Sequence, residues 1–259
     1  MPMPELRSRP LVWRFFAAAL IACLLSGYGL RPSHSQTNND AAVAESLATM
    51  LQAARTVVSK HQPDINNPDV GDKGLTGAKV LAEAEQGYKD MTGVDPRSID
   101  PKTRQGRLLH AQMDSIVEVV DANQDTINKK GLGFKGFIPA TFARLVNEAF
   151  SRRAGNEADV KVTAPPNLVR NLKARPDPWE RQVITDKFLK TNWPKGKAYS
   201  AVAKNKGRPA FRMAVPEYYA ASCLSCHGGP KGAIDITGYP KEGGTEGALG
   251  GVISISLYR

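Results

Sequence analysis

Ala220-Ala221-Ser222-Cys223-Leu224-Ser225-Cys226-His227-Gly228-Gly229-Pro230 is the stretch around which this chain is organised. It contains Cys223-x-x-Cys226-His227, the spacing by which a c-type haem is attached. Two thiols three positions apart fall on one side of a helical turn, where each can form a thioether with one vinyl group of the same porphyrin. The histidine after the second thiol is then held over the iron as its proximal ligand. Other readings of the pair fit less well. A structural zinc site wants four ligands, commonly two such pairs, and the chain has only one further cysteine, Cys23. A thioredoxin-like redox pair wants a βαβ context, whereas a hairpin-like stretch precedes this one and Gly-Gly-Pro follows. A disulfide between Cys223 and Cys226 would close a short, strained ring.

The N-terminus carries an address. Arg7, Arg9 and Arg14 form a positive region, Phe15 to Leu30 is mostly apolar, and Ser33 and Ser35 are small residues suited to cleavage near Gln36. The rival, Leu20-Ile21-Ala22-Cys23, resembles a lipoprotein processing site, and an uncleaved anchor is a third option. Membrane association is expected only in those two cases. No other segment approaches the roughly 20 apolar residues of a membrane span. Export to the periplasm agrees with the haem motif, because this cofactor is attached outside the cytoplasmic membrane. Removing four arginines and Glu5 with the leader takes the formal charge from +10 to +7. That basic excess can steer acidic partners. The cations are dispersed, which argues against nucleic acid and for ordinary solubilising charge.

With 259 residues, the chain can bury one sizeable core, or one domain with a helical appendage. Val43, Leu47, Met50, Leu51, Ala54, Val57 and Val58 recur at helical spacing and predict a helix over 40–60 with Asp40 as its cap. His61 extends that stripe before Pro63 stops it. Further helices are predicted over 76–88, 103–128 and 139–151, with His110 off the apolar stripe of the helix over 103–128. These read as a long hairpin of helices. From Glu157 the pattern changes. Val160–Thr163 alternates like a strand, Asp177 caps a short helix to about Leu189, and 198–203 and 208–215 flank a turn at Lys204-Asn205-Lys206-Gly207. Phe211, Met213 and Val215 share one strand face, with Arg212 on the other. A glycine-rich excursion, 228–251, leads to a last strand in which Val252, Ser254 and Ser256 alternate with Ile253, Ile255 and Leu257. A small antiparallel sheet with helices, an α+β fold, is the economical assembly.

Three runs carry a family resemblance: Pro165-Pro166-Asn167-Leu168-Val169-Arg170-Asn171 with Arg175-Pro176-Asp177-Pro178-Trp179-Glu180, then Phe211 to Pro216, then Ser222 to Pro230. Together they resemble a family of exported single-haem c-type proteins whose haem part has a PAS-like fold. Gly250 to Ser254 fits that family's closing strand, while the upstream helices, including Gly71-Asp72-Lys73-Gly74, match more loosely. Members occur free or as the sensory end of histidine kinases and diguanylate cyclases, and redox or small-ligand sensing is their proposed role. The resemblance implies a leader (1–35), a helical part (36–155) packed as a hairpin on a PAS-like haem part (156–259), and one covalent haem c. It implies Cys223 and Cys226 as attachment points and His227 as proximal ligand.

At least one member is understood to use a cysteine from an N-terminal helix as distal ligand, and no cysteine remains there after export. His61 is the replacement candidate, with Met213, Met50, His110 or an open distal site as alternatives. Arg212 and Arg175 are candidates to pair with haem propionates, against an ordinary structural role for each. Trp179 is weighed between the haem edge and core packing. The chain ends at Arg259 with no kinase or cyclase, so a sensor would signal through a separate partner. A non-enzymatic sensor module is the leading expectation. An electron-transfer cytochrome comes next, and a peroxidase-like enzyme needing a distal acid–base group such as His110 comes last.

Overall fold

Asp40 does not begin the first helix. In this computed structural model, which describes Met1 and residues 34–259, α1 runs His34–Lys60. Asp40 lies inside it, buried, and accepts from Arg104 Nη1 at 2.9 Å and Arg259 Nη2 at 3.3 Å. A carboxylate taken up by two arginines is not free to cap, and the polar stretch before it continues the helix. The apolar leader and Cys23 lie outside the described residues, and the expected cleavage point near Gln36 falls in the first turn of α1. No helix among the described residues is long and apolar enough to cross a membrane.

The short α2 (Gln62–Ile65) follows, then α3 (Gly77–Thr92), α4 (Arg104–Asp121), α5 (Gln124–Ile127) and α6 (Pro139–Ala154). Thr76 and Thr103 cap α3 and α4, each accepting a bond from the amide three residues on. The helix expected over 103–128 breaks at Ala122-Asn123, where Asn123 Nδ2 turns back onto the Val119 carbonyl at 2.7 Å. In place of a hairpin, α3, α4 and α6 all pack on α1, which also lies along the sheet. The stripe expected on α1 accounts for this: Leu47, Met50, Leu51, Ala54 and Val58 are wholly buried.

The sheet has four antiparallel strands, β1 (Ala158–Thr163), β2 (Tyr199–Asn205), β3 (Arg208–Tyr218) and β4 (Leu249–Tyr258), in the order β1-β4-β3-β2. β2 and β3 meet at a two-residue turn, with Asn205 opposite Arg208. Lys206 and Gly207 there have φ of 50° and 78°, the left-handed pair that matches the twist of a hairpin. The alternation read from the sequence holds. Phe211, Met213, Ile253, Ile255 and Leu257 join the helices in one continuous core. The other face carries Ala214 and Val252 against Val183, Ile184 and Phe188. Those last residues come from α7 (Pro178–Val183) and the π-helical turn Ile184–Phe188 that continues it. Asp177 caps α7 in a reciprocal capping box with Glu180. One further turn, α8 (Leu224–His227), follows β3 and carries the cysteine motif.

Candidate functional site

β3 ends at Tyr218, and Tyr219 is the pivot from which the motif hangs. A single 3-10 turn, Ala221–Cys223, passes directly into α8, so Cys223 and Cys226 sit on consecutive helical turns of one short loop. Both thiols are unpaired and half-buried. Among the described residues, no cluster of three or more His, Cys, Asp or Glu side chains is arranged to hold a metal ion, as a closed zinc site would require. The Tyr219 ring stacks on the His227 ring, with centroids 5.2 Å apart and planes 20° apart. Two further neighbours of the ring are glycines for a reason. A β-carbon on Gly250 would lie 2.4 Å from Tyr219 Cε1, and one on Gly244 would lie 2.6 Å from Cε2. Burial first, and then the Glu242 charge, push the Tyr219 hydroxyl up to about 12, so the ring stays neutral.

The glycine-rich excursion is a folded arm that returns to the motif. Gly232 N donates to Lys241 O at 2.9 Å and Lys241 N donates to Ala233 O at 2.8 Å, so its two halves pair. Its far end closes on the histidine, with Gly244 N donating to His227 O at 2.7 Å and Gly243 N to Gly228 O at 3.1 Å. This return brings Glu242 Oε2 to 2.9 Å from His227 Nδ1. No hydrogen bond from a described residue reaches Nε2, so the ring is oriented by one nitrogen and open at the other.

Arg170, from the loop after β1, holds Glu242 in a bidentate pair: Nε to Oε1 at 2.6 Å and Nη2 to Oε2 at 2.9 Å. The same guanidinium donates to Asp235 Oδ2 at 2.6 Å and to the Cys226 carbonyl at 2.9 Å, and lies over the Tyr239 ring. The Asp235 side chain is fully buried. Burial opposes its charge, yet bonds from Thr237, Arg170 and nearby amides hold its carboxyl well below the ordinary range. Glu242 is likewise held low against burial by Arg170 and His227. Burial works against the Arg170 charge too, but its two carboxylates raise its affinity for the proton. Arg170 stood in the run that carried the family resemblance. Glu242, Asp235 and Tyr219 had no pattern to mark them, because each acts across the excursion rather than along it.

The remaining candidates are dispersed. His61 is near the end of α1, its Nε2 shared between the Glu83 oxygens at 3.0 and 3.1 Å and its Nδ1 3.4 Å from Asp64 Oδ2. The same end of α1 does pass the motif, but by another face: Ser59 Oγ is 3.4 Å from Ser222 Oγ, and Arg55 pairs with Glu217 at the end of β3. Met50 and Met213 are sealed in the main core. His110 is half-buried on α4, and its Nε2 is without a partner. Arg212 is committed elsewhere. Its side chain is 2% exposed, and its Nη2 lies 2.7 Å from Asp177 Oδ2 and 3.3 Å from Glu180 Oε1. Trp179 stacks beneath that guanidinium, 4.2 Å from it, and packs against Tyr199, so its role is packing. Arg175 is exposed, and its carbonyl accepts from Lys161 Nζ at 2.7 Å. Neither arginine contacts the motif.

No curated protein matches this sequence. Among solved structures the chain is similar, at 18% identity and a TM-score of 0.35, to one described as the crystal structure of the cyanobacterial heme-protein Tll0287, over 46% of this chain and 72% of that one. The Tll0287-like family model matches residues 34–257, from the first turn of α1 to the end of β4, and the chain therefore belongs to the Tll0287-like family.

Proposed function

We propose that this chain is an exported haem protein that carries one haem c on Cys223 and Cys226, with His227 Nε2 as proximal ligand. The observation that carries this reading is the state of His227. Its Nδ1 is occupied by a carboxylate and its Nε2 is unencumbered, one residue beyond a pair of unpaired thiols. Metal-binding histidines characteristically show this arrangement, the outer partner fixing tautomer and ring plane. The residues present therefore fit the group: two thiols for thioethers, one imidazole for the iron, and a stacked Tyr219 that keeps the imidazole from turning. Membership of the Tll0287-like family, named for a haem protein, supports the same reading. When bound, the haem supplies one-electron redox change and a position for a small axial ligand.

The role we favour is a periplasmic redox or small-ligand sensor without turnover, on a PAS-like haem part, that signals through a separate protein. The contact of α1 with the motif loop through Ser59, together with the Arg55–Glu217 pair, supports this, because a change at the loop bears directly on the helix around which the others pack. The second reading, electron transfer between periplasmic partners, is favoured by the exposure of the loop: Ser222, Ser225 and Gly229 all face solvent, which would leave a haem edge accessible.

The test is the absorption spectrum of protein matured with the haem-attachment machinery, oxidised and dithionite-reduced, with and without carbon monoxide. A covalent haem surviving denaturing electrophoresis, absent from Cys223→Ala/Cys226→Ala, is the expected result. Rapid binding of carbon monoxide favours ligand sensing, and a low-spin reduced protein indifferent to it favours electron transfer. Wild-type protein without covalent haem would overturn the proposal.

A further inference from the structure

We infer that Glu242 is a positioning residue that makes His227 a strongly donating ligand and so biases the iron toward its ferric state, with Arg170 limiting how far that bias goes. The inference rests on the haem reading above and extends it to the redox poise of the site.

Three observations carry it. The partner of His227 Nδ1 is a carboxylate at 2.9 Å rather than a backbone carbonyl. A full negative charge on the N–H pulls the proton outward, raises the basicity of the opposite nitrogen and stabilises the more highly charged metal. Secondly, this carboxylate cannot swing away. Arg170 grips both its oxygens, and that guanidinium is itself anchored on Asp235 and on the carbonyl of Cys226, a residue of the motif. Bidentate arginine–carboxylate pairs are directional as well as strong. Thirdly, the charges do not cancel. Two carboxylates, Glu242 and Asp235, share one guanidinium, leaving one net negative charge behind the proximal imidazole in a partly dry setting, where charges act more strongly than in water. The arginine drains the carboxylate that touches the histidine without neutralising the group. With haem in place, the couple affected would be the one-electron reduction of ferric to ferrous iron by an external donor, dithionite in the test below, with no bond made or broken and the Nδ1 proton left in place.

The experiment is a potentiometric titration of holo-protein with dithionite and mediators, on wild type, Glu242→Gln, Glu242→Asp and Arg170→Gln, each first checked for covalent haem. Glutamine keeps the shape and removes the charge, so Glu242→Gln is expected to shift the ferric–ferrous equilibrium at least tenfold toward ferrous. That is a rise of 59 mV or more for one electron. Arg170→Gln, which leaves both carboxylates unshared, is expected to shift it the other way. Glu242→Asp is expected to lie between wild type and Glu242→Gln, which a merely structural role would not predict. A Glu242→Gln protein that keeps its haem and titrates within twofold of wild type overturns the inference while leaving the haem proposal intact. Should Glu242→Gln fail to hold haem, Glu242→Asp decides, and no upward shift there overturns it equally. Wild type without haem would instead sink the proposal beneath it.

Discussion

Arg212 and Arg170 occupy two sites of nearly the same construction. Each guanidinium is gripped by two carboxylates, Asp177 and Glu180 for the first, Glu242 and Asp235 for the second. Each also lies over an aromatic ring, Trp179 and Tyr239 respectively. What differs is what the arrangement is joined to. Arg212 points from β3 toward the start of α7, and everything it touches belongs to the framework. Arg170 reaches the Cys226 carbonyl and, through Glu242, the His227 ring. A buried arginine with acidic partners is therefore no sign of a binding site in itself. The chemistry at the end of its chain of bonds decides.

Removing each arginine tests that contrast, and the largest effect belongs to Arg212. Its side chain and that of Glu180 are each 2% exposed, so Arg212→Met breaks a buried pair and leaves Glu180 to Lys161 Nζ, 2.7 Å away, at a cost of about 3 kcal/mol. Urea unfolding should show this loss, while the redox midpoint of the surviving folded protein stays at the wild-type value. A loss under about 1 kcal/mol, in the range of exposed ion pairs, would mean that the pair is dispensable. A moved midpoint would mean that the two arginines are not functionally distinct.

The sequence marked two members of the first site, Asp177 as a cap and Arg212 on its strand face, without joining them, and left the second hidden, for a physical reason. The cap at Asp177 is a local signal, completed by Glu180 three residues on, and the strand alternation put Arg212 opposite Phe211 and Met213. The helix starts at Thr76 and Thr103 and the hairpin turn within Lys204-Asn205-Lys206-Gly207 were likewise local signals that local geometry obeyed. Arg170 and Glu242 are 72 residues apart, and the Arg55–Glu217 pair spans 162. Such partners are brought together only by the fold, through an arm whose own sequence is mostly glycine and turn residues. The start of α1 was misread on the same ground: Asp40 has the look of a cap, but two distant arginines claim it. Cys223, Cys226 and His227 stand out in the sequence because the covalent attachment we propose demands a fixed spacing.

An intermediate effect is expected from acid, and it sharpens the contrast by asking both clusters at once. Asp177, Asp235 and Glu242 are all held below their ordinary values, in each case against burial, by hydrogen bonds in which the arginine is prominent. A carboxyl depressed in the folded state adds stability above its unfolded value, and loses it as pH falls through the folded one. Stability should thus be level from neutrality to about pH 5 and fall below about pH 4, the range of unfolded carboxyls. Arg212→Met should show a shallower fall, because Asp177 loses the guanidinium that bonds to it and keeps only the more remote Lys161. A urea midpoint that stays constant down to pH 2 would mean that these carboxylates contribute little.

The smallest effect should come from His61→Ala, and it bears on the second axial position of the haem we propose. His61 continues the apolar stripe of α1, which is why it stands out in the sequence as a second axial ligand. Its ring nitrogens, however, are both turned to carboxylates, and Glu83, its closer partner, is held low in spite of burial by bonds from His61 and Lys60. To bind iron the ring would have to leave Glu83, whereas the face of α1 that meets the motif loop presents Ser59 and Arg55, neither of them a strong iron ligand. The variant should therefore keep the wild-type spectrum in both oxidation states, with a stability loss of about 1 kcal/mol for the lost hydrogen bond. A change from low to high spin in His61→Ala would return His61 to the iron, and it would require the end of α1 to turn relative to α3 when haem is attached.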